Sequence, residues 1–307
     1  MIIAIGNPVY DRIQTPKITR PDLVLSGCST NACLAASKLG ADAHLVGRLS
    51  SDQQDKFRHD LELFGISAEI DPCPETGGFG LIYDERGDRT LDILGVADPI
   101  RRLPARLSEA QFILIGPILG ETPLPLVQEI AAATVAPIIL DPQGLLRRIK
   151  QGRVDRYRNP EIDGVLPLMD VVKANEYEAE IITGFEPRAN PTEAVTTLYE
   201  LMARERTRTH HTPIAIVTLA EAGSLLFDGD AIIRVPAYAT DAIDPTGAGD
   251  TYAGGFMVQY LNAPEDLRRA GYFASATASV MVENSGPDFP LTLAEANRRT
   301  DWLLSER

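Results

Sequence analysis

The stretch 244-DPTGAGDTYAGGFM-257 sets Gly247, Ala248 and Gly249 directly ahead of an acid, Asp250, and then runs into an apolar segment that reads as a helix. Glycines at 247 and 249 let backbone N–H groups converge without interference from Cβ atoms, and the positive end of the following helix adds to them. Such a turn attracts an anion. A carboxylate in the same place repels a resting phosphate, and the conflict resolves if a hydroxyl lies between the two. Asp250 then accepts the hydroxyl proton while the amides of Gly247, Ala248 and Gly249 stabilise a phosphoryl group in transit. The competing local reading makes Asp250 a helix cap after a flexible turn. Taken alone, the stretch leaves both open. Neither GxxxxGK[ST] nor the GxGxxG dinucleotide fingerprint occurs here.

Upstream of this turn, short apolar runs recur at Ile2–Ile5, His44–Val46, Phe112–Ile115, Pro137–Leu140, Val171–Lys173 and Ile214–Thr218. Runs this short, rich in Ile and Val and without polar alternation, predict strands buried on both faces of a parallel sheet. Between them, helices are expected over Asn31–Leu39, Ser51–Phe64 and Asn175–Thr183, each followed at once by glycine, the usual residue just past a helix. The β-α alternation runs nearly end to end with no Ser/Gly-rich linker or internal repeat. The expectation is a doubly wound α/β fold with a mostly parallel central sheet, a single domain over residues 1–307. In such sheets ligands bind beyond the carboxyl ends of the strands, where loops lead into helix N-termini, and the turn at 247–249 has that form.

Two stretches break the alternation, Arg12–Ser26 and Gly78–Leu94. In the second, Glu85-Arg86-Gly87-Asp88 separates two alternating segments, as a hairpin turn does. Together they are expected to form a small β lid over one end of the main sheet.

Of the 307 residues 44% are hydrophobic, enough for a substantial core, and the formal net charge is −14. That balance argues against a nucleic-acid or anionic-membrane surface, since both need clustered Lys and Arg. Cys28, Cys33 and Cys73 show neither CxxC nor zinc-ligand spacing, so reduced thiols are expected. No basic leader precedes "IIAIGNP", and no apolar run reaches a membrane span, so a cytoplasmic protein is expected.

"DPTGAGDTYAGGFM" closely resembles the carboxyl-terminal signature of the PfkB carbohydrate kinases, the ribokinase family, and further motifs fall in that family's order. "GNPVYD" resembles the strand exit that carries a substrate-binding acid, here Asp11. "SGCSTNACLAASKLGADAHLVGRLSSDQQDKF" is similar to the amino-terminal signature, with Gly27 and Asn31 matching and Ser26 in place of its first glycine. "KANEYEAEIITG" looks like the NxxE segment at Asn175 and Glu178, and "IVTLAEAGSLLFDGD" like the strand and turn beside the nucleotide, with Thr218 and Gly223 matching and Ala220 where many relatives have glycine.

The resemblance implies an ATP- and magnesium-dependent kinase of a small sugar, nucleoside or cyclitol, with a ribokinase-like fold and a monomeric or homodimeric state. Asp250 is the implied base, and Asp11, Gly27 and Asn31 bind the acceptor. Asn175, Glu178, Thr218 and Gly223 serve the nucleotide, and Glu178 organises magnesium through water. Asp244 and Thr246, with the Gly286 loop "ENSGPDF", are implied to hold a monovalent cation, potassium. On the residues alone, Asp11 reads equally as a turn former, Asn31 as a helix cap, and Asn175 with Glu178 as a capping pair. Cys28-Ser29-Thr30 stands where ribokinase-like sugar kinases commonly have a lysine, and the interval from Asp11 to Gly27 is short for the family. Gly116 and Pro117 offer no polar side chain to an acceptor. The alternative from another class is a non-catalytic sugar or nucleotide sensor of the same fold. A dehydrogenase would need a glycine fingerprint after the first strand, where only Gly6 stands.

Overall fold

The computed structural model describes residues 1–84 and 89–306. From the amino terminus, β1 (Ile2–Ile5) leads through β2 (Val9–Gln14) and β3 (Val24–Ser26) into α1 (Cys28–Lys38), β4 (Ala43–Ser50), α2 (Gln54–Glu62) and β5 (Ser67–Cys73). Next come β6 (Gly78–Tyr83), β7 (Arg89–Gly95), β8 (Phe112–Ile115), α3 (Leu124–Ala133), β9 (Ile138–Leu140), and the hairpin β10 (Arg147–Lys150) and β11 (Arg153–Arg156). The remainder runs α4 (Ile162–Val165), β12 (Val171–Asn175), α5 (Glu176–Thr183), α6 (Pro191–Ala203), β13 (Ile214–Thr218), β14 (Ser224–Phe227), β15 (Ile232–Val235), α7 (Ala248–Asn262), α8 (Leu267–Val282) and α9 (Leu293–Ser305).

The main sheet has the order β15-β14-β13-β12-β9-β8-β1-β4-β5, parallel from β13 to β5 and antiparallel only at the β14 and β15 edge. The unalternated apolar runs have their explanation in its two faces. Ile2 and Ala4 of β1 face one core with Phe112 and Leu114 of β8, while Ile3, Ile5, Ile113 and Ile115 face the other. Helices α1, α7 and α8 cover the first face, and α3 and α6 the second. Each fully buried isoleucine contributes about 1.5–3 kcal/mol, so a run buried on both faces has no position for a polar residue.

Helix α7 seats close to its neighbours because its glycines have no Cβ. A Cβ on Gly254 would lie 2.7 Å from the carbonyl oxygen of Ala32 in α1, and one on Gly255 would lie 2.7 Å from Thr277 Oγ1 in α8. The pair "GG" in the opening stretch is therefore a packing device that brings α7 against two helices.

The second sheet, ordered β3-β2-β6-β7, draws on both stretches that break the alternation. It begins earlier than expected, at Val9, so Asp11 lies inside β2 rather than in a turn after β1. Its own small core includes Val9, Ile13, Phe79, Leu81 and Ile118. The expected turn at Glu85-Arg86-Gly87-Asp88 lies outside the described residues. Helix α1 starts three residues before the expected Asn31, with Gly27 at its N-cap, so Asn31 does not cap it. Over the expected helix Ser51–Phe64 a 3₁₀ turn at Ser51–Gln53 precedes α2, and α5 has Asn175 as its N-cap. Strands β5, β10 and β11 escape an apolar-run reading because they are polar and largely exposed. Cys28, Cys33 and Cys73 are buried free thiols. Among the described residues no helix is long and apolar enough to cross a membrane.

Candidate active site

Helix α7 begins at Ala248 with Gly247 as its N-cap in the left-handed region, φ +80°, a conformation that costs glycine little. No side chain caps this helix, and Asp250 sits in its first turn. The local helix-cap reading of Asp250 therefore has no bond behind it. Ala248 N–H turns back on the Pro245 carbonyl at 3.2 Å, whereas the amides of Gly249 and Asp250 lie in the first turn, where a helix offers no acceptor of its own.

The side chains that meet this turn come from three separate elements. Asn31, in the first turn of α1, donates from Nδ2 to Asp250 Oδ2 at 2.8 Å. Lys173, on β12, forms a 2.6 Å ion pair with Asp141 at the end of the neighbouring strand β9, and both side chains are 3% exposed. The same ammonium would lie 2.8 Å from a Cβ on Gly249, so that glycine leaves room for a cation against the turn. Cys28 Sγ and carboxylate oxygens of Asp141 and Asp250 all fall within 4.8 Å of one another.

The electrostatics follow from burial. Burial, then the Asp141 charge, raises the Asp250 carboxyl above the ordinary carboxylate range, while Lys173 and the Asn31 amide pull it back. Burial alone would lower the Lys173 ammonium, but Asp141, with Glu178 and Asp250, outweighs it and holds the group charged above its usual range. The Cys28 thiol is pushed well up by burial and by the two carboxylates, so it stays a neutral thiol. A raised carboxylate beside a fixed ammonium and first-turn amides is equipped to take a proton and to meet a developing anion.

A cavity of about 1140 Å³ opens above this floor. A single ligand pocket usually has roughly 300–1,000 Å³, so this one is at the large end of that range or just beyond it. Asp11, Gly27, Asn31, Asn175, Glu178, Thr218, Gly223, Thr246 and the turn 247–250 all line it, and Asp244 does not. At the end under the small sheet, the buried Asp11 carboxylate accepts from the Phe79 amide at 2.7 Å, which ties β2 to β6. Gly27 (φ +111°) and Ile118 line the same cavity.

Toward the other end, Asn175 and Glu178 form a reciprocal capping box. Asn175 N–H donates to Glu178 Oε2 at 2.8 Å, Asn175 Nδ2 to Oε1 at 2.7 Å, and Glu178 N–H to Asn175 Oδ1 at 3.0 Å. The capping-pair reading is thus realised in full, yet the same carboxyl faces the cavity. Burial and then the Asp141 charge raise it to about 7, against the opposing pull of Lys173. Gly223 turns at φ +89°, where a Cβ would strike the Val235 carbonyl oxygen at 2.0 Å. Ala220, in the position where glycine is expected, holds φ +48°.

Lys173 and Asp141 are residues of the cavity floor that the motif reading passed over, and Cys28 entered it only as a departure from the family pattern. The available signal for Lys173 was a charge inside the apolar strand sequence "DVVKAN", since a buried lysine needs a partner. Asp141 carried no such mark, being one acid among many after a strand.

The sequence matches the family described as pfkB family carbohydrate kinase over residues 2–293. It is 44% identical over 73 residues to a nucleoside kinase of Methanothermobacter thermautotrophicus, covering 24% of this chain and 23% of that protein. A cytidine kinase of Thermococcus kodakarensis is 26% identical over 268 residues, covering 84% of this chain and 88% of that one. A pyrophosphate-dependent kinase in the ribokinase family, complexed with a pyrophosphate analog and myo-inositol, superposes with a TM-score of 0.80 at 22% identity, covering 97% and 100% of the two chains. With nearly its whole length inside one family profile and its main sheet and helices in the same arrangement, the chain belongs to the PfkB family of carbohydrate kinases.

Proposed function

We propose that the protein transfers the γ-phosphoryl group of ATP to a hydroxyl of a small sugar, nucleoside or cyclitol. The observation that carries this reading is the convergence of the Asp250 carboxylate, the Lys173 ammonium and the first-turn amides of α7 on the floor of one cavity. The acceptor lies under the small sheet, which acts as a lid, with hydroxyls on Asp11 and Asn31. The acceptor hydroxyl gives its proton to Asp250 as its oxygen bonds to phosphorus, and the bond from that phosphorus to the bridging oxygen of the leaving diphosphate breaks. Lys173 and the amides of Gly247 and Gly249 stabilise the charge on the phosphoryl oxygens during the transfer. The donor lies along Thr218 and Gly223. Glu178, which faces the cavity, fits a water-mediated hold on magnesium, and magnesium supplies neutralisation of the donor phosphates.

Names of relatives support the acceptor class: the matches include a nucleoside kinase, a cytidine kinase and a kinase crystallised with myo-inositol. The test is phosphate transfer with magnesium across pentoses, hexoses, nucleosides and inositols, using ATP and pyrophosphate as donors, with Asp250→Asn alongside. Turnover that the variant loses supports the reading. Ligands that raise the melting temperature without any transfer would make the protein a sensor, and transfer from pyrophosphate alone would overturn ATP as donor.

A further inference from the structure

The potassium ion that the family resemblance implies requires Asp244, Thr246 and the loop at Gly286 to present oxygens to one point. They do not. Asp244 is fully buried, and its two carboxylate oxygens are engaged separately, Oδ1 by the Thr246 amide at 2.9 Å and Oδ2 by the Ser285 hydroxyl at 2.6 Å. The Thr246 hydroxyl donates to the Tyr83 hydroxyl at 3.0 Å.

Three carbonyls of the two loops, those of Ala242, Ile243 and Ser285, are engaged as well, by the connection between β2 and β3. Lys17 Nζ donates to the Ala242 carbonyl at 2.7 Å and to Asp241 Oδ1 at 2.6 Å. Thr15 Oγ1 donates to the Ile243 carbonyl at 3.2 Å. Arg20 Nη2 reaches the Ser285 carbonyl at 3.3 Å, and its guanidinium lies over Gly286, where a Cβ would stand only 2.6 Å from Nη2. The connection is shaped to deliver these groups, since the amides of Lys17 and Ile18 both donate to Thr15 Oγ1 and tighten the turn.

We infer that Arg20, assisted by Lys17, is a tethered cation that takes the place of a soluble monovalent cation beside the loop leading into α7. A carbonyl that accepts from a permanently charged side chain is a poor ligand for potassium, and a second positive charge there meets repulsion. The short connection between Asp11 and Gly27 thereby has a function of its own, as the arm that carries the charge.

The test reads melting temperature, so it needs no acceptor and stands apart from the proposed activity. The protein is melted at equal ionic strength in potassium chloride and in tetramethylammonium chloride, whose cation is too large to enter a carbonyl cage. The wild type is expected to melt at the same temperature in both. Arg20→Gln, which opens the Ser285 carbonyl, is expected to melt about 2 °C or more higher in potassium, as a bound ion stabilises only the folded chain. A potassium-specific rise in the wild type overturns the inference, and so does an Arg20→Gln protein that melts alike in both salts. Should that variant fail to fold, Lys17→Gln carries the same expectation and the same refutation.

Discussion

The floor of the cavity and the small sheet above it are built on different principles. On the floor, Asp250 and Asn31 stand on helices, Lys173 on a parallel strand buried on both faces and Asp141 just past the end of its neighbour, and each is bonded or ion-paired to another. The small sheet has four strands and a core of few residues, and it and the β2–β3 connection join the loop before α7 through a few side-chain bonds, such as Tyr83 to Thr246 and Thr15 to Ile243. Its outer positions include half-exposed apolar side chains at Ile82 and Leu94. On the proposed function, the groups for phosphoryl transfer stand on the extensively buried main sheet and its helices. On the same proposal, acceptor recognition falls to the small sheet, whose core has few residues.

The strongest way to break this comparison is Lys173→Met. It leaves Asp141 as an unpaired buried carboxylate, and removing one partner of such a pair costs about 3–5 kcal/mol. The melting temperature should fall sharply and turnover with it. Adding Asp141→Asn should restore much of the melting temperature but not turnover. A double variant that regains full turnover would show Lys173 to be structural only.

Asp250→Asn comes next, with kcat expected to fall at least roughly 10²-fold while the acceptor KM changes little. Steady-state kinetics decide it, and near-normal turnover would remove Asp250 from the base role.

Glu178→Gln separates stability from activity. Because the folded carboxyl is raised from 4.5 to about 7, the native state holds its proton more tightly than the unfolded chain, so wild-type stability falls as pH rises between those values and levels off above. The variant lacks this loss. Relative to wild type it should gain on the order of 1–3 kcal/mol between pH 5 and pH 8 while losing magnesium-dependent transfer. Parallel stability curves across that range would refute the raised carboxyl.

The smallest effect is expected above the floor. Asp11→Asn should raise the acceptor KM about 10- to 100-fold, the scale of the roughly 1.5–3 kcal/mol of one hydrogen bond to a charged group, and leave kcat within a few-fold. A larger loss in kcat than in KM would place Asp11 in the chemistry rather than in binding.

How legible the site was in sequence depended on how local it was. Gly247, Gly249 and Asp250 could be read together because a turn and the first helical residues are contiguous. Asn175 and Glu178 were legible as a pair for the same reason, three residues apart at a helix start. Asn31 was ambiguous, since its residue type suits a cap, and only the start of α1 at Cys28 turned it toward Asp250. Lys173 and Asp141 were not legible as partners. They are separated along the chain and become neighbours only because β12 and β9 pair in parallel, with Val171 opposite Ile139 and Val172 opposite Leu140.

By itself, the sequence determined the parallel sheet, because unalternated apolar runs leave no face for water, and it determined the anion-attracting turn, because backbone freedom and a helix terminus are local properties. The tertiary structure alone decided which charges stand beside Asp250 and which side chains reach the loop before α7. A buried ion pair depends on strand register, and an arginine laid over a glycine on how the β2–β3 connection meets the loop after α8, and neither distance is written in any single segment of the chain.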